Sequence, residues 1–301
     1  MVINFGNGTG IVIMGSLVIF GLGQSARAFV KRFGADYSSI IATVRDSASA
    51  SPMQGVEIMD FNDTGFDPRL TQAVGGADVI LCSVPPDAEG DPVLEWFGDT
   101  IQAATQLKWL GYLSTIGVYG DHQGGWVDET TPVQGDSERS HRRVMAEQLW
   151  QALAQDAGLP LHIFRLAGIY GPAQNALVQL RRGTAKRVIK PGQVFNRIHV
   201  DDIAQVLAAS IRQPRPMAVY NVTDDHPCPP QDVVTYAAEL LGVTPPAEVA
   251  FEQANFTEMA RSFYSQNKRV SNRLIREELG VTLLYPTYRE GLQALMAVQA
   301  A

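Results

Sequence analysis

The chain has 301 residues, of which 46% are hydrophobic and 18% charged, which excludes a disordered segment and allows a large buried core. Its net charge of −7 argues against a general nucleic-acid binder. Two cysteines, Cys82 and Cys228, exclude a disulfide scaffold and a four-cysteine zinc site, and five scattered histidines give no HExxH pair, so no metal is expected.

Residues 1–15 stand apart from the rest of the chain. The stretch 6–10, GNGTG, follows no strong strand and is not read as a phosphate loop, and Met14 is a reasonable start for the native chain. The apolar run 11–20 is too short to span a bilayer, which takes roughly 20 residues. No Lys or Arg precedes Arg27, so the positive region of an export signal is missing. The expected compartment is the cytoplasm, with no membrane partner.

From residue 16 onward, short apolar runs alternate with helical spacing. LVIF (17–20) predicts a strand, residues 25–33 a helix, SIIATV (39–44) and VEIMDF (56–61) two more strands, and DVILCSV (78–84) a fourth. Residues 93–108 carry Leu94, Phe97, Ile101, Ala104 and Leu107 at helical spacing. WLGYLST (109–115) is a fifth strand, 139–157 a helix and LHIFRLA (161–167) a sixth strand. Strand–helix alternation with continuous apolar strands predicts an α/β fold with a parallel, doubly wound sheet covered on both faces. After residue 172 the texture changes. Residues 197–211 predict a short strand and an apolar helix, VYNVTD (219–224) a strand, and the remainder two or three helices split by Pro245-Pro246 and Pro286. The expected division is a sheet domain of residues 16–172 plus roughly 197–224, and a smaller C-terminal substrate lobe of residues 173–196 and 225–301.

Residues 21–26, GLGQSA, follow the first strand and open a helix as GxGxxA. Gly21 allows the tight turn, Gly23 lets backbone approach a pyrophosphate, and Ala26 lets helix pack on strand, while Gln24 and Ser25 sit at the helix N-terminus that faces the anion. This is the pattern of a Rossmann-type dinucleotide site, to which Ser83, in the fourth predicted strand, is added. Arg45 lies just past the second strand, where an arginine suits a 2′-phosphate, so NADP is expected ahead of NAD; Asp46 beside it can take a ribose diol instead. Asp60 and Phe61 end the third strand, where an acid can meet the adenine amino group.

Several segments resemble one family. LSTIGVYGD (113–121), FRLAGIYGP (164–172), RIHVDDIA (197–204) and NRLIREELGV (272–281) resemble, in order, motifs of the extended short-chain dehydrogenase/reductases, the NAD-dependent epimerase/dehydratase group. The resemblance implies NAD(P) in the N-terminal lobe and often a nucleotide sugar in the C-terminal one. It implies a catalytic hydroxyl at Thr115, four residues before Tyr119. It also implies a Tyr-x-x-x-Lys on the helix of residues 139–157, but with Glu147 as anchor those places hold Arg139 and Arg143. Arginine stays protonated, so Arg139 cannot shuttle a proton, whereas Arg143 can hold ribose or phosphate by charge. His141 is the nearby side chain that titrates close to neutrality and is a candidate general acid.

Six basic residues and no acid between 173 and 200 favour an anionic ligand. Arg197 and Arg182 are the candidate contacts, Arg197 standing two residues before His199, near where relatives bind a pyrophosphate. His199 reads as a packed structural residue, and Asp201 and Asp202 as caps of the following helix. No GxSxG elbow or GxxxxGK[ST] loop occurs. The sequence thus predicts a reductase or epimerase of a small anionic substrate such as a nucleotide sugar, or else a non-catalytic NADP(H)-binding sensor or regulator. The resemblance also allows a homodimer.

Overall fold

The computed structural model describes residues 14–300, so the expectations placed on residues 1–13 lie outside the described part. The strands, in chain order, are β1 (Met14–Phe20), β2 (Tyr37–Val44), β3 (Glu57–Asn62), β4 (Gly65–Phe66), β5 (Val79–Cys82), β6 (Trp109–Thr115), β7 (Trp126–Val127), β8 (Leu161–Leu166), β9 (Gly168–Tyr170), β10 (Arg187–Ile189), β11 (Arg197–His199), β12 (Ala218–Val222), β13 (Glu248–Ala250) and β14 (Arg269–Val270). The helices are α1 (Gln24–Phe33), α2 (Arg69–Gly75), α3 (Pro92–Gln102), α4 (Glu138–Ala157), α5 (Ala176–Arg181), α6 (Val200–Arg212), α7 (Pro230–Leu241), α8 (Glu258–Tyr264), α9 (Arg273–Glu277) and α10 (Tyr288–Ala300).

Eight strands form one sheet in the order β12-β8-β6-β5-β1-β2-β3-β4. All its pairings are parallel except the short β3–β4 hairpin. The order reverses between β1 and β5, which makes that crevice the switch point where such sheets bind ligands. Alternate residues of each strand feed opposite cores. Leu17 and Ile19 of β1 pack under α1 and α6 with Phe29, Ile203 and Leu207. Val18 and Phe20 pack on the other face with Phe97, Ile101 and Trp150 of α3 and α4. Both faces are covered, as continuous apolar strands require.

The chain departs from the sequence reading in several places. The helix expected over 93–108 ends at Gln102: Ala104 and Leu107 still face the core, but from turns in which Ala104 N–H bonds the Ile101 carbonyl and Leu107 N–H the Ala104 carbonyl. The helix α2 was not expected; it starts after Pro68 and stops at Gly75-Gly76, too short for a clear period. The C-terminal part holds α7, α8, α9 and α10, rather than two or three helices.

Caps set the helices that matter for the site. Asp91 caps α3, its Oδ1 accepting from the Val93 and Leu94 amides at 3.0 and 3.2 Å, while its Oδ2 accepts from the Trp150 indole of α4 at 3.0 Å. A capping box of Ser137 and Ser140 starts α4, and Gly158 ends it with φ +66°. Beyond the sheet, α5, α7 and α10 enclose Leu177, Val233, Tyr236, Tyr288 and Leu292. Ile275 of α9, with Leu279, Val281 and Leu283, returns to the sheet core beside Tyr220 and Val222. Cys82 and Cys228 are buried free thiols. Among the described residues, no helix is long and apolar enough to cross a membrane.

The HVDD segment folds differently from the expected double cap. His199 caps α6, its Nδ1 accepting from the Asp201 amide at 3.1 Å. Asp202 is fully buried and accepts from the Leu284 and Tyr285 amides at 2.6 and 3.1 Å and from Gln205 at 3.0 Å. It therefore ties the loop before α10 to α6. Burial raises its carboxyl to about 6. His199 is packed between Tyr170 and Tyr285, at ring distances of 5.1 and 4.2 Å, and burial lowers its imidazole to about 4.

Candidate active site

The turn after β1 is held from the neighbouring strand. Gly21 has φ +89°, a conformation that favours glycine, and its amide donates to Thr43 Oγ1 at 3.0 Å. The Leu22 amide donates to the Thr43 carbonyl at 2.9 Å. A Cβ at Gly23 would meet nothing within 4 Å, so backbone here is open to a ligand. No side chain caps α1, and its first turn holds no acid, which leaves the positive end of the helix for an anion. Gln24, Ser25 and, across the switch point, Ser83 line the adjoining cleft, while Ala26 is wholly buried against the sheet. These features fit the pyrophosphate of a dinucleotide.

At the end of β2, Arg45 is exposed and makes no ion pair among the described residues. Asp46 turns back on its own loop, its Oδ1 accepting from the Ala48 amide at 3.1 Å. Asp60 accepts from the Ser47 amide at 2.6 Å and so shapes that loop. Phe61 does not reach a ligand through its ring: it is packed against Phe20 and Phe97, at 5.6 and 5.7 Å, inside the core. The end of a strand has one inward and one outward residue, and Phe61 is the inward one.

The cleft has a volume of about 1050 Å³, just above the usual 300–1,000 Å³ for ligand sites. It runs from Gln24 and Ser83 past Thr115 to Phe195, Arg197 and Tyr264. Thr115 Oγ1 accepts from the Gly117 amide at 3.1 Å, which caps the short turn Ile116–Tyr119, and the side chain still borders the cleft. Arg143 Nη1 donates to the Leu113 carbonyl at 2.6 Å and reaches the Tyr112 hydroxyl at 3.5 Å, so the guanidinium is fixed at the end of β6. Arg139, one helical turn earlier, also borders the cleft, with its guanidinium 5.7 Å from the Phe263 ring. His141 is exposed and does not line the cleft; two residues from Arg139, it lies on another face of α4. Tyr119 is buried, donating to Asn221 Oδ1 at 2.7 Å and accepting from Arg165 at 2.9 Å.

The basic run divides. Arg197 lines the cleft and donates to the Phe195 carbonyl at 3.0 Å and Cys228 Sγ at 3.2 Å. Arg182 is exposed at the end of α5 and does not line it. Lys186 donates to the Asn255 carbonyl at 2.8 Å, Lys190 to the Tyr264 carbonyl, and Arg187 pairs with Glu248 at 2.8 Å. Much of this positive charge therefore fastens residues 248–264. Lys268, buried and lining the cleft, carries no motif in the sequence and was missed. Together the lining contains Arg139, Arg143, Lys186, Arg197 and Lys268 but no Asp or Glu, among the described residues.

Below Arg197, Asp224 is 1% exposed; its Oδ1 accepts from the His226 amide at 3.1 Å and its Oδ2 has no partner. Burial raises its carboxyl from 3.8 to about 8. Between those values the folded chain holds a proton that the unfolded chain releases, so this group makes stability fall as pH rises across that window. Asp224→Asn removes the effect. Urea unfolding is expected to show the variant gaining on the parent chain from pH 5 to pH 8; an unchanged difference between the two pH values refutes it.

A doubly wound sheet with a glycine turn at its switch point is the Rossmann-like fold, and here that turn adjoins a cationic cleft. The chain is similar to the NAD-dependent epimerase/dehydratase family over part of its length. That family's model matches residues 93–223. A structure of a functionally unknown conserved protein from Silicibacter pomeroyi DSS is 52% identical, with 95% of this chain and 99% of that one covered and a TM-score of 0.88. A putative NAD-dependent epimerase/dehydratase from Methylobacillus flagellatus is 24% identical over 95% and 99% of the two chains, with a TM-score of 0.70. A dTDP-glucose 4,6-dehydratase from Bacillus anthracis str. Ames, in complex with NAD, shares the fold at 18% identity, with 95% and 97% covered and a TM-score of 0.77. No curated protein matches the sequence.

Proposed function

We propose that the chain binds a nicotinamide dinucleotide on residues 21–26, NADP(H) ahead of NAD(H), and reduces or epimerises a small anionic substrate such as a nucleotide sugar. The observation that carries this reading is the cleft itself: among the described residues, five cations and no carboxylate line it, in a chain of net charge −7. Such a lining concentrates anions and repels cations. The dinucleotide, when bound, supplies the hydride acceptor or donor. The chain's own residues do the rest. The amide end of α1 holds phosphate, Arg143 offers its remaining N–H groups to ribose or phosphate oxygens, and Thr115 presents a hydroxyl beside them. Arg197 and Lys186 serve the far end of the cleft. A second reading, a dinucleotide-binding regulator without turnover, is favoured by the arginines at both dyad positions.

Titration of the protein with NADPH and NADH, followed by fluorescence, tests the first step. NADPH is expected to bind more tightly. Arg45→Ala is expected to raise its Kd by about 10–100-fold, the worth of a charge-assisted hydrogen bond, and to leave NADH unchanged. Binding of NADH with none of NADPH removes the role of Arg45, and binding of neither removes the whole reading. The second step is incubation with UDP-glucose, UDP-N-acetylglucosamine, UDP-glucuronic acid and dTDP-glucose, following cofactor redox state and sugar epimers. Tight cofactor binding with no turnover of any of them selects the regulator.

A further inference from the structure

Acid–base chemistry near neutrality needs a group that both holds and releases a proton there. None of the histidines, carboxylates or cysteines lines the cleft, among the described residues. Its arginines stay charged. The hydroxyls of Tyr170, Tyr264 and Tyr288, which do line it, are all pushed above the ordinary tyrosine value by burial. Two lysines remain, and Lys186 is exposed, with one N–H on the Asn255 carbonyl.

Lys268 is different. It is 4% exposed, in the stretch between α8 and β14. Its Nζ donates to the Gly120 carbonyl and to Gln266 Oε1, both at 2.6 Å. Neither acceptor is charged, and no carboxylate stands within 4.0 Å among the described residues. Two of its three N–H groups are used, which leaves one for a ligand. A buried ammonium without a counter-ion is costly, which makes Lys268 a functional-site candidate. Gly120 closes the turn that Thr115 caps, so the ammonium and the Thr115 hydroxyl flank one short turn at the same cleft. Asp121 and Asp136 act on Lys268 from farther away and hold its proton on, while burial, the larger effect, brings it down to about 8. Arg269, next in the chain, is turned to the Gly124 carbonyl.

We propose that Lys268 is the proton-exchanging residue of this cleft, in the place of the tyrosine that Arg139 displaces. This rests on the dinucleotide-dependent reading of the cleft. In the oxidising direction the neutral amine takes the hydroxyl proton of a substrate alcohol. The hydrogen on the same carbon leaves as hydride to the oxidised nicotinamide, and a carbonyl forms. In the reducing direction the ammonium returns its proton to the oxygen as hydride comes back.

Two measurements test it. The chain has five lysines, so ¹³C-lysine NMR resolves them, and the resonance lost in Lys268→Arg identifies Lys268. Its midpoint is expected near pH 8 without any cofactor; a midpoint at or above about 10.4, the ordinary lysine value, overturns the proposal. In turnover of the UDP- and dTDP-sugars, Lys268→Met and Lys268→Arg are both expected to lose about 100-fold or more in kcat, within the usual range for a lost acid–base group, with NADPH affinity within threefold of the parent. The parent's oxidising rate is expected to rise through about pH 8. Arginine keeps the charge and the two hydrogen bonds, so recovery of turnover in Lys268→Arg makes Lys268 a structural tie and overturns the proposal. Retained turnover in Lys268→Met does the same. A parent chain that binds NADPH but turns over none of the sugars overturns the enzymatic reading and this role with it, a result distinct from failure of the variants alone.

Discussion

Arg165→Met is expected to lower the free energy of unfolding by about 3–5 kcal/mol, because it strands a buried carboxylate. Arg165 on β8 holds Glu147 of α4 through Nη2–Oε2 at 2.8 Å and Nε contacts of 3.2 Å to both oxygens, with side-chain exposures of 7% and 3%. Its Nη1 donates to the Tyr119 hydroxyl at 2.9 Å, and Ser114 donates to Glu147 Oε1. Without the guanidinium, Glu147 keeps one hydroxyl donor from this network and no cation. The double replacement Arg165→Met with Glu147→Leu is expected to recover most of the loss, since neither charge then lies buried alone. Urea unfolding of the three variants checks this. A loss below about 1 kcal/mol, the level of an exposed pair, refutes it. The network also sets the site: Ser114 adjoins Thr115, and Glu147 lies one turn beyond Arg143.

The second large effect is on binding with the fold left intact. Gly23→Asp is expected to weaken NADPH and NADH alike by about 1,000-fold, roughly 4 kcal/mol, because it sets a carboxylate against the pyrophosphate. The substitution is tolerated locally. The residue has φ −79°, its Cβ would meet nothing within 4 Å, and aspartate is a favoured helix cap at this position. Unfolding stability is therefore expected to be unchanged or slightly raised. Titration paired with urea unfolding separates the two. Undiminished binding would place the phosphates elsewhere.

The sheet was legible because its strands are continuous apolar runs separated by glycine and proline, and the GxGxxA turn was legible because its glycines sit between a strand and a helix. Thr115, Arg139, Arg143 and Arg197, read from motif spacing, all border one cleft. Short elements were not legible: α2, α5 and the paired strands β10 and β13 have too few residues to show a period. Direction within an element was harder still. Phe61 and Arg182 sit at suitable positions in the chain, but one turns into the core and the other to solvent. Lys268 had no signal at all, since its environment comes from Gly120, 148 residues away. Asp202 was misread for the same reason, its partners being Leu284 and Tyr285.

The anchoring of Arg143 on the Leu113 carbonyl bears on how this cleft is related to those that use tyrosine and lysine. A guanidinium is a fork: one prong can stay on the protein while the others face a ligand. An ammonium at the same place is a single point and must divide its few N–H groups between the two. The pair Arg139→Tyr and Arg143→Lys therefore does not simply reproduce that chemistry, because it also removes the guanidinium that holds the Leu113 carbonyl of β6. The two arrangements differ in a main-chain partner as well as in two side chains, so exchanging the side chains alone does not convert one cleft into the other.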